Sequence, residues 1–397
     1  MKRKILIVTT SYPKWEGDHN GYFIHNFLIH ILDEFEVYVI APDTKGAKKI
    51  EVIDNINIIR FSQFPFIPVE LAYGDDILAK IKKNRFLFFA IPFFIFNMFI
   101  NVLKVQKKYR IDIIHAFWLI PQGFMAIFIK KLFFHKTTII CSLLGADINS
   151  FNGFWGRQMK KFALKHIDIL ISQSLPMAEL AKKLGYNKDI HYLPLSIDTD
   201  FYSPKTNNTY GIYNAKEPVL LYVATLTERK GISYLIEALP KIKAIFPSFK
   251  LNIIGDGNQK DELILLSKKL DVYNNISFLG FKNPSELPKY FSECDIFILP
   301  SLSEGFPLVV LSALSCGAIT VVTNLNVFLE LKNENPNLLH IVEKQNANAI
   351  SDKVIYILNN FESFKKFSLE NRRFVVENFD IKVIANKYKK LLTQYIE

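Results

Sequence analysis

Cysteine is scarce in this 397-residue chain: Cys141, Cys294 and Cys316 are the only three. An odd, sparse set without ligand-like spacing excludes a disulfide framework and a cysteine-built zinc site, and it fits a reducing interior. Arginine-rich runs, zinc-finger spacing and RNA-binding aromatic signatures are missing too, which argues against a nucleic-acid partner. Low-complexity tracts are absent. Acid is short in one half only. Residues 1–199 hold 26 Lys+Arg against 17 Asp+Glu, whereas residues 200–397 hold 23 against 21, within a net charge of +11. A basic first half suits an anionic membrane surface or a phosphorylated acceptor, and solvated lysine-rich helix faces account for part of the surplus.

Long apolar runs are also few. "RFLFFAIPFFIFNMFINVLK", Arg85 to Lys104, places 18 residues between its charges and is interrupted by Pro92, Asn97 and Asn101. It barely meets the ~20 residues of a spanning helix, so a buried or partly exposed helix is expected. The flanks "KIKKNR" and "KVQKKYR" would suit a helix lying at a membrane surface. The N-terminal "MKRKILIVTTSYP" runs into Tyr12-Pro13-Lys14-Trp15-Glu16 rather than a small-residue cleavage site, so it reads as a first strand and not as a leader.

What is present is alternation. "KILIVTT", "EVYVIAP", "IDIIHAF", "TTIICSL" and "IDILISQ" are strand-like runs separated by helix-length amphipathic stretches. Fully apolar strands followed by helices indicate a parallel sheet covered on both faces. The polar, Asn- and Thr-rich segment 196–216 reads as a linker. After it the pattern restarts with "VLLYVAT", "KLNIIGDG", "NISFLG", "DIFILPS" and "AITVVT". The fold class expected is α/β, two tandem Rossmann-like doubly wound domains with an interdomain cleft: 1–195, a linker 196–216, and 217–375. A C-terminal helix over 376–397 could pack back on the first domain. Ligands in such sheets bind beyond the carboxyl ends of the strands.

One loop of that kind stands out. In "SEGFPLVVLSALSCG", residues 303–317, Pro307 suits a first helical turn and Gly317 a helix stop. Glu304-Gly305-Phe306 then lies between a strand end and a helix N-terminus, where free amides attract an anion such as a diphosphate. Glu304 would repel phosphate, but it suits the hydroxyls of a sugar. A carboxylate also favours a helix start with no ligand at all, and local physics leaves both readings open.

The stretch "DIFILPSLSEGFPLVVLSALSCGAITVVT" resembles the C-terminal hallmark of glycosyltransferase family 4, the retaining enzymes of the GT-B fold. "GYFIHNFLIHIL", "DIIHAFWLIPQG", "LLGADI", "LPLSIDTDFYSP", "VATLTERKGISYLIEAL", "IIGDG" and "ISFLGF" resemble its other segments in order and spacing, over nearly the whole chain. The resemblance implies that Lys230 neutralises the donor diphosphate, that Glu304 holds donor-sugar hydroxyls, and that Asp147 belongs to the catalytic set. It also implies a donor site formed by Gly21, Arg229, Gly255, Gly257, Phe281, Gly305, Phe306, Pro307, Leu308, Val309 and Ser312, with the amides of residues 306–309 on the phosphates. Taken alone, "GDG" is a turn and Lys230 a solvated helix-start lysine.

The chain departs from the family pattern at three polar positions: Ser312 where a second glutamate is usual, Leu144 for a histidine and Thr225 for an arginine. Arg229 could replace that guanidinium, and His19, His25 or His115 could approach the acceptor. Asp198-x-Asp200 matches a metal–diphosphate signature of another fold, but its place in the linker suits a turn or cap.

The implied function is transfer of a hexose-type sugar from a UDP- or GDP-linked donor to a glycan or lipid-linked acceptor, with retention, no metal and no cofactor. The implied setting is surface polysaccharide or glycoconjugate synthesis in the cytoplasm, peripheral at the inner face of the plasma membrane. The alternatives are a non-catalytic GT-B protein that binds a sugar nucleotide or a partner, and a sugar-nucleotide epimerase.

Overall fold

Strands made of Ile, Val and Leu on both faces must be covered by helices on both sides, and two such layered units result. The computed structural model describes residues 2–18, 20–64, 70–73, 80, 84–150, 152–204 and 216–396. One unit comprises Met1–Leu195 and Ile384–Glu397, the other Ser196–Val383.

The first unit holds β1 (Arg3–Val8), β2 (Phe35–Pro42), β3 (Ile50–Ile53), β4 (Ile56–Phe61), β5 (Ile113–Phe117), β6 (Thr138–Leu143), β7 (Ile169–Ser172) and β8 (Ile190–Tyr192). Their order is β3-β4-β2-β1-β5-β6-β7-β8. Among the described residues only the β3–β4 edge hairpin is antiparallel. The N-terminal run is therefore a central strand: Ile5 is in register with Val37 on one side and Ile113 on the other. The order reverses between β1 and β5, which opens a crevice beyond their carboxyl ends.

The second unit holds β9 (Val219–Val223), β10 (Lys250–Ile254), β11 (Ile276–Gly280), β12 (Ile296–Leu299), β13 (Ile319–Thr323) and β14 (His340–Val342). The order β11-β10-β9-β12-β13-β14 is wholly parallel and reverses between β9 and β12. Leu220, Leu221, Phe297, Ile298 and Val321 form its core.

The segment expected as a linker divides in two. Residues 196–204 pack within the second unit: Ile197 bridges Asp380, Thr199 Oγ1 donates to Asp380 Oδ2 at 2.5 Å, and the Tyr202 carbonyl accepts from Ser315 Oγ at 2.5 Å. Residues 205–215 lie outside the described residues. Asp198 Oδ1 accepts from the amides of Asp200 and Phe201, and Asp200 pairs with Lys382 at 2.7 Å. Both acids are spent on a cap and an ion pair.

At the C-terminus a helix over Ser368–Phe379 breaks at Asp380, and the next, Ile381–Ile396, belongs to the first unit from Ile384 onward. Tyr388 fixes it there. Its ring meets Phe27 edge-on with centroids 5.2 Å apart, and its hydroxyl hydrogen-bonds His115 Nδ1 at 2.8 Å.

The apolar run from Arg85 folds as a 3-10 turn, Arg85–Phe89, leading into a helix, Ala90–Tyr109. Leu87–Tyr109 is long and apolar enough to cross a membrane by length and composition. One stripe of it, Phe94, Met98 and Val102, is nonetheless packed in the core of the first unit.

Candidate functional site

The second unit's reversal is where its chain segments converge. After β9 the backbone makes a single 3-10 turn, Glu228–Lys230, and stops at Gly231 with φ +65°. A Cβ at Gly231 would stand 2.0 Å from the Pro300 carbonyl oxygen, so only glycine lets this turn press against the end of β12. The Leu302 amide donates to the Arg229 carbonyl at 2.8 Å, and Arg229 Nη1 donates to the Ser303 carbonyl at 3.2 Å. The two loops are locked together, and their side chains meet.

Lys230 Nζ lies 2.6 Å from Glu304 Oε1, with side chains 14% and 6% exposed. Ser301 Oγ donates to the same oxygen at 2.6 Å, and the Ser301 carbonyl is held by Thr323 Oγ1 at 2.5 Å. Among the described residues Glu304 Oε2 accepts no hydrogen bond. The ammonium has three N–H groups and directs one at Glu304, so both members keep capacity for a ligand. Burial pushes the Tyr222 phenol up beneath this pair, assisted by the Glu304 charge and opposed by Arg229.

Gly255 and Gly257 follow β10. The Gly255 amide donates to the Gly280 carbonyl at 2.9 Å, and the Gly257 amide to Asp256 Oδ1 at 2.8 Å. The β9 loop joins them through the Leu226 amide on the Asp256 carbonyl, 3.0 Å. Phe281, after β11, is exposed. Along the carboxyl edge the order is thus Phe281, the two glycines, Lys230, Glu304, because the strand order is β11-β10-β9-β12. The sheet assembles this row from four segments far apart in sequence.

The helix after Glu304 runs Leu308–Ser315 with Pro307 just outside it, one residue later than the sequence reading placed its start. Of the amides expected on phosphate, Pro307 has no N–H, and Leu308 donates to the Phe306 carbonyl at 3.1 Å. Gly305, Phe306 and Val309 are the donors this loop can offer. Ser312 is buried, and its hydroxyl donates to the Leu308 carbonyl at 3.1 Å. That bond turns the hydroxyl onto its own helix. Thr225 is exposed on the β9 loop, and the Leu144 amide serves Asp147.

The first unit places the rest. Gly21 caps the helix Tyr22–Ile29 with φ +66°, and a Cβ there would stand 2.4 Å from the Ser11 carbonyl oxygen in the loop after β1. Asp147 is buried and accepts the amides of Leu119 at 2.7 Å, Gly145 at 3.0 Å and Leu144 at 3.2 Å. Burial raises its pKa, and the amides that donate to it oppose the rise. Asp147 is therefore a positioning residue that ties the loop after β6 to the loop after β5. Its carboxylate oxygens face backbone amides of both loops.

His115 is buried between Ser142 Oγ and the Tyr388 hydroxyl, 2.8 Å from each, and burial takes its pKa down to about 3. His25 is buried between the Tyr12 hydroxyl at 2.6 Å and Asp54 Oδ2 at 2.9 Å. Both rings hold structure. His19 lies outside the described residues.

Sequence reasoning missed Trp118. Directly after β5, at the first unit's reversal, its backbone sits at φ 81° and ψ 135°, a region that bulky residues avoid. The Asp147 bond to the next amide holds it there. Nearby Gln122 Nε2 donates to Thr10 Oγ1 at 3.2 Å, while its Oε1 is buried without a partner. Nothing in the residue type of Trp118 signals such a conformation.

Comparison with known proteins agrees with this architecture. The family model described as glycosyl transferases group 1 matches residues 211–374, and that described as Glycosyltransferase Family 4 matches residues 22–201. The N-acetyl-alpha-D-glucosaminyl L-malate synthase of Bacillus anthracis is 24% identical over 80% of this chain and 84% of its own length. The N,N'-diacetylbacillosaminyl-diphospho-undecaprenol alpha-1,3-N-acetylgalactosaminyltransferase of Campylobacter jejuni is 23% identical over 96% and 98%. Among solved structures, the sucrose-phosphate synthase of Thermosynechococcus elongatus superposes with a TM-score of 0.79 over 99% of both chains at 17% identity. The fold is the two-unit GT-B architecture.

Proposed function

This chain belongs to the group 1 glycosyltransferases of family 4, and on that footing we propose that it transfers a sugar from a nucleoside diphosphate to an acceptor hydroxyl with retention at the anomeric carbon. The observation that carries the reading is the Lys230–Glu304 pair at 2.6 Å on the β9/β12 reversal. A cation for a diphosphate and a carboxylate for sugar hydroxyls are adjacent there, and helix-start amides lie alongside. The row from Phe281 to Glu304 crosses four strands, about 14 Å at the usual strand spacing, which accommodates base, diphosphate and sugar in that order.

In the proposed step the bond from the anomeric carbon to the leaving phosphate oxygen breaks, and its electron pair stays with the diphosphate. The acceptor oxygen bonds to the same face of the carbon, and its proton passes to the leaving oxygen. Lys230 and the amides of Gly305, Phe306 and Val309 stabilise the departing charge from fixed positions. In this proposal Lys230 supplies the cation that meets the diphosphate, and the step invokes no metal. A chelator should leave turnover unchanged. The proposed acceptor is a glycan or a lipid-linked acceptor, in keeping with the diphospho-undecaprenol in the name of the Campylobacter jejuni relative. The three cysteines, buried as free thiols, fit a cytoplasmic setting.

A panel of nucleotide sugars screened for thermal stabilisation, followed by turnover assays with the best donor, tests the reading. Lys230→Ala should cost about 10²–10³ in turnover. Nucleotide-sugar binding without transfer or donor hydrolysis would instead support a non-catalytic binding protein, and interconversion of the donor without acceptor an epimerase.

A further inference from the structure

Three helices lie side by side on the first unit: Ala90–Tyr109, Phe124–Leu132 and Phe154–His166. Together they carry nine lysines and arginines and no aspartate or glutamate. The whole chain has 49 bases to 38 acids, so an acid-free face of this extent is a pattern of its own. Lys160 is buried on the carbonyls of Ile148 and Ser150, and Lys130 pairs with Asp168. The other seven bases are exposed.

The same three helices and their ends expose side chains that a water-facing surface normally buries: Phe89, Phe93, Phe96, Phe133, Phe154 and Trp155, the last 78% exposed. From the end of the 3-10 turn along the first helix, Phe89, Phe93 and Phe96 run on at helical spacing to the exposed Lys104, Lys107 and Lys108. The buried stripe Phe94, Met98 and Val102 occupies the other side. One outward stripe is therefore aromatic along its first half and cationic along its second.

We infer that this three-helix face docks the enzyme on an anionic lipid bilayer, lying in the headgroup region. Exposed aromatics beside exposed bases that make no ion pair among the described residues are what an interfacial helix presents, with apolar rings toward the acyl boundary and cations on lipid phosphates. A protein interface would be depleted in lysine at its core. A membrane-spanning role is excluded by the buried stripe, because extracting Phe94, Met98 and Val102 would dismantle the first unit's core. The inference concerns where the protein works and does not depend on the donor or the reaction.

The test is co-sedimentation of the full chain with phosphatidylcholine vesicles, with and without phosphatidylglycerol, at low and high salt. The parent should sediment with the anionic vesicles at low salt, and raising the salt should release it. Lys104→Glu/Lys107→Glu/Lys108→Glu should lower partitioning by about a hundredfold or more. Phe89→Ser/Phe93→Ser/Phe96→Ser should lower it by about tenfold or more. The lysine variant's thermal transition should match the parent's; Phe93 meets Phe64 edge-on with centroids 5.1 Å apart, so Phe89→Ser/Phe96→Ser, at two well-exposed positions, serves as the phenylalanine control that keeps the parent's transition. Failure of the parent to bind anionic vesicles at low salt overturns the inference, as does equal binding by the parent and both variants. If the phenylalanine variant instead turns a dimer into a monomer while vesicle binding is unchanged, the face belongs to a second copy of the chain and the inference is wrong.

Discussion

The two units solve the same topological problem with opposite use of their polar groups. Each sheet reverses its strand order, and each reversal collects loops beyond the strand ends. In the second unit those loops bring together a half-buried ammonium and carboxylate that share one hydrogen bond and keep further capacity. In the first unit the corresponding groups are spent. Asp147 serves three amides, and His115 is held between Ser142 and Tyr388. What the first unit offers is shape: a tryptophan held in an unfavoured backbone conformation and a glycine jammed against the β1 loop. Charge chemistry resides in one unit, and backbone placement dominates the other.

That contrast can be broken by substitution. The largest effect belongs to Asp147→Asn, which sets an amide N–H₂ against buried backbone N–H groups. It should cost about 3 kcal/mol of stability, a Tm drop of roughly 6–12 °C for a unit of this size, read by calorimetry. Turnover should fall through displacement of Trp118. A variant as stable as the parent would mean that Asp147 is not the clamp described here.

His115 gives the next effect. Its pKa in the folded chain is about 3 against an ordinary 6.5, so the unfolded state binds the extra proton between those values. Its contribution to stability is fully present above pH 6.5 and is lost as pH falls toward 3. Between pH 7 and 5 the parent should therefore lose about 2 kcal/mol more than His115→Gln, measured by denaturant unfolding at both values. Parallel losses would remove His115 from the account.

Ser312→Ala should do least. It deletes one buried hydroxyl bonded to its own helix, with a stability change within about 1 kcal/mol and no change in turnover or donor KM. A rise in donor KM would restore Ser312 to the donor site.

Much of this organisation was legible in the residues. Alternating apolar strands and amphipathic helices indicated two parallel sheets, and the acid in "SEGFP" marked the loop where the ion pair forms. The Lys230–Glu304 contact itself was not legible locally, because 74 residues separate the partners and only the β9–β12 adjacency joins them. The three amides that Asp147 accepts were not legible either, because a carboxylate in a Gly-x-Asp loop looks the same whether it faces a ligand or its own backbone. The Ser312 bond was hidden for a related reason, since a hydroxyl can satisfy itself on the carbonyl four residues back. The β3–β4 hairpin escaped notice because its exposed edge strand carries Ile50 and Val52 among polar residues, without the apolar continuity of the other strands.

The central claim is that Lys230 and Glu304 exchange each other for the two ends of a donor, Lys230 taking the diphosphate and Glu304 the sugar. Calorimetric titration of UDP and GDP into the parent, Lys230→Met and Glu304→Gln tests it most directly. Lys230→Met should lose most of its affinity for the nucleotide that the parent binds. Glu304→Gln should keep or exceed the parent's affinity, because its ammonium is released from a competing carboxylate, yet it should lose turnover with the sugar-bearing donor. If Glu304→Gln weakens nucleotide binding as much as Lys230→Met does, the division of labour is contradicted.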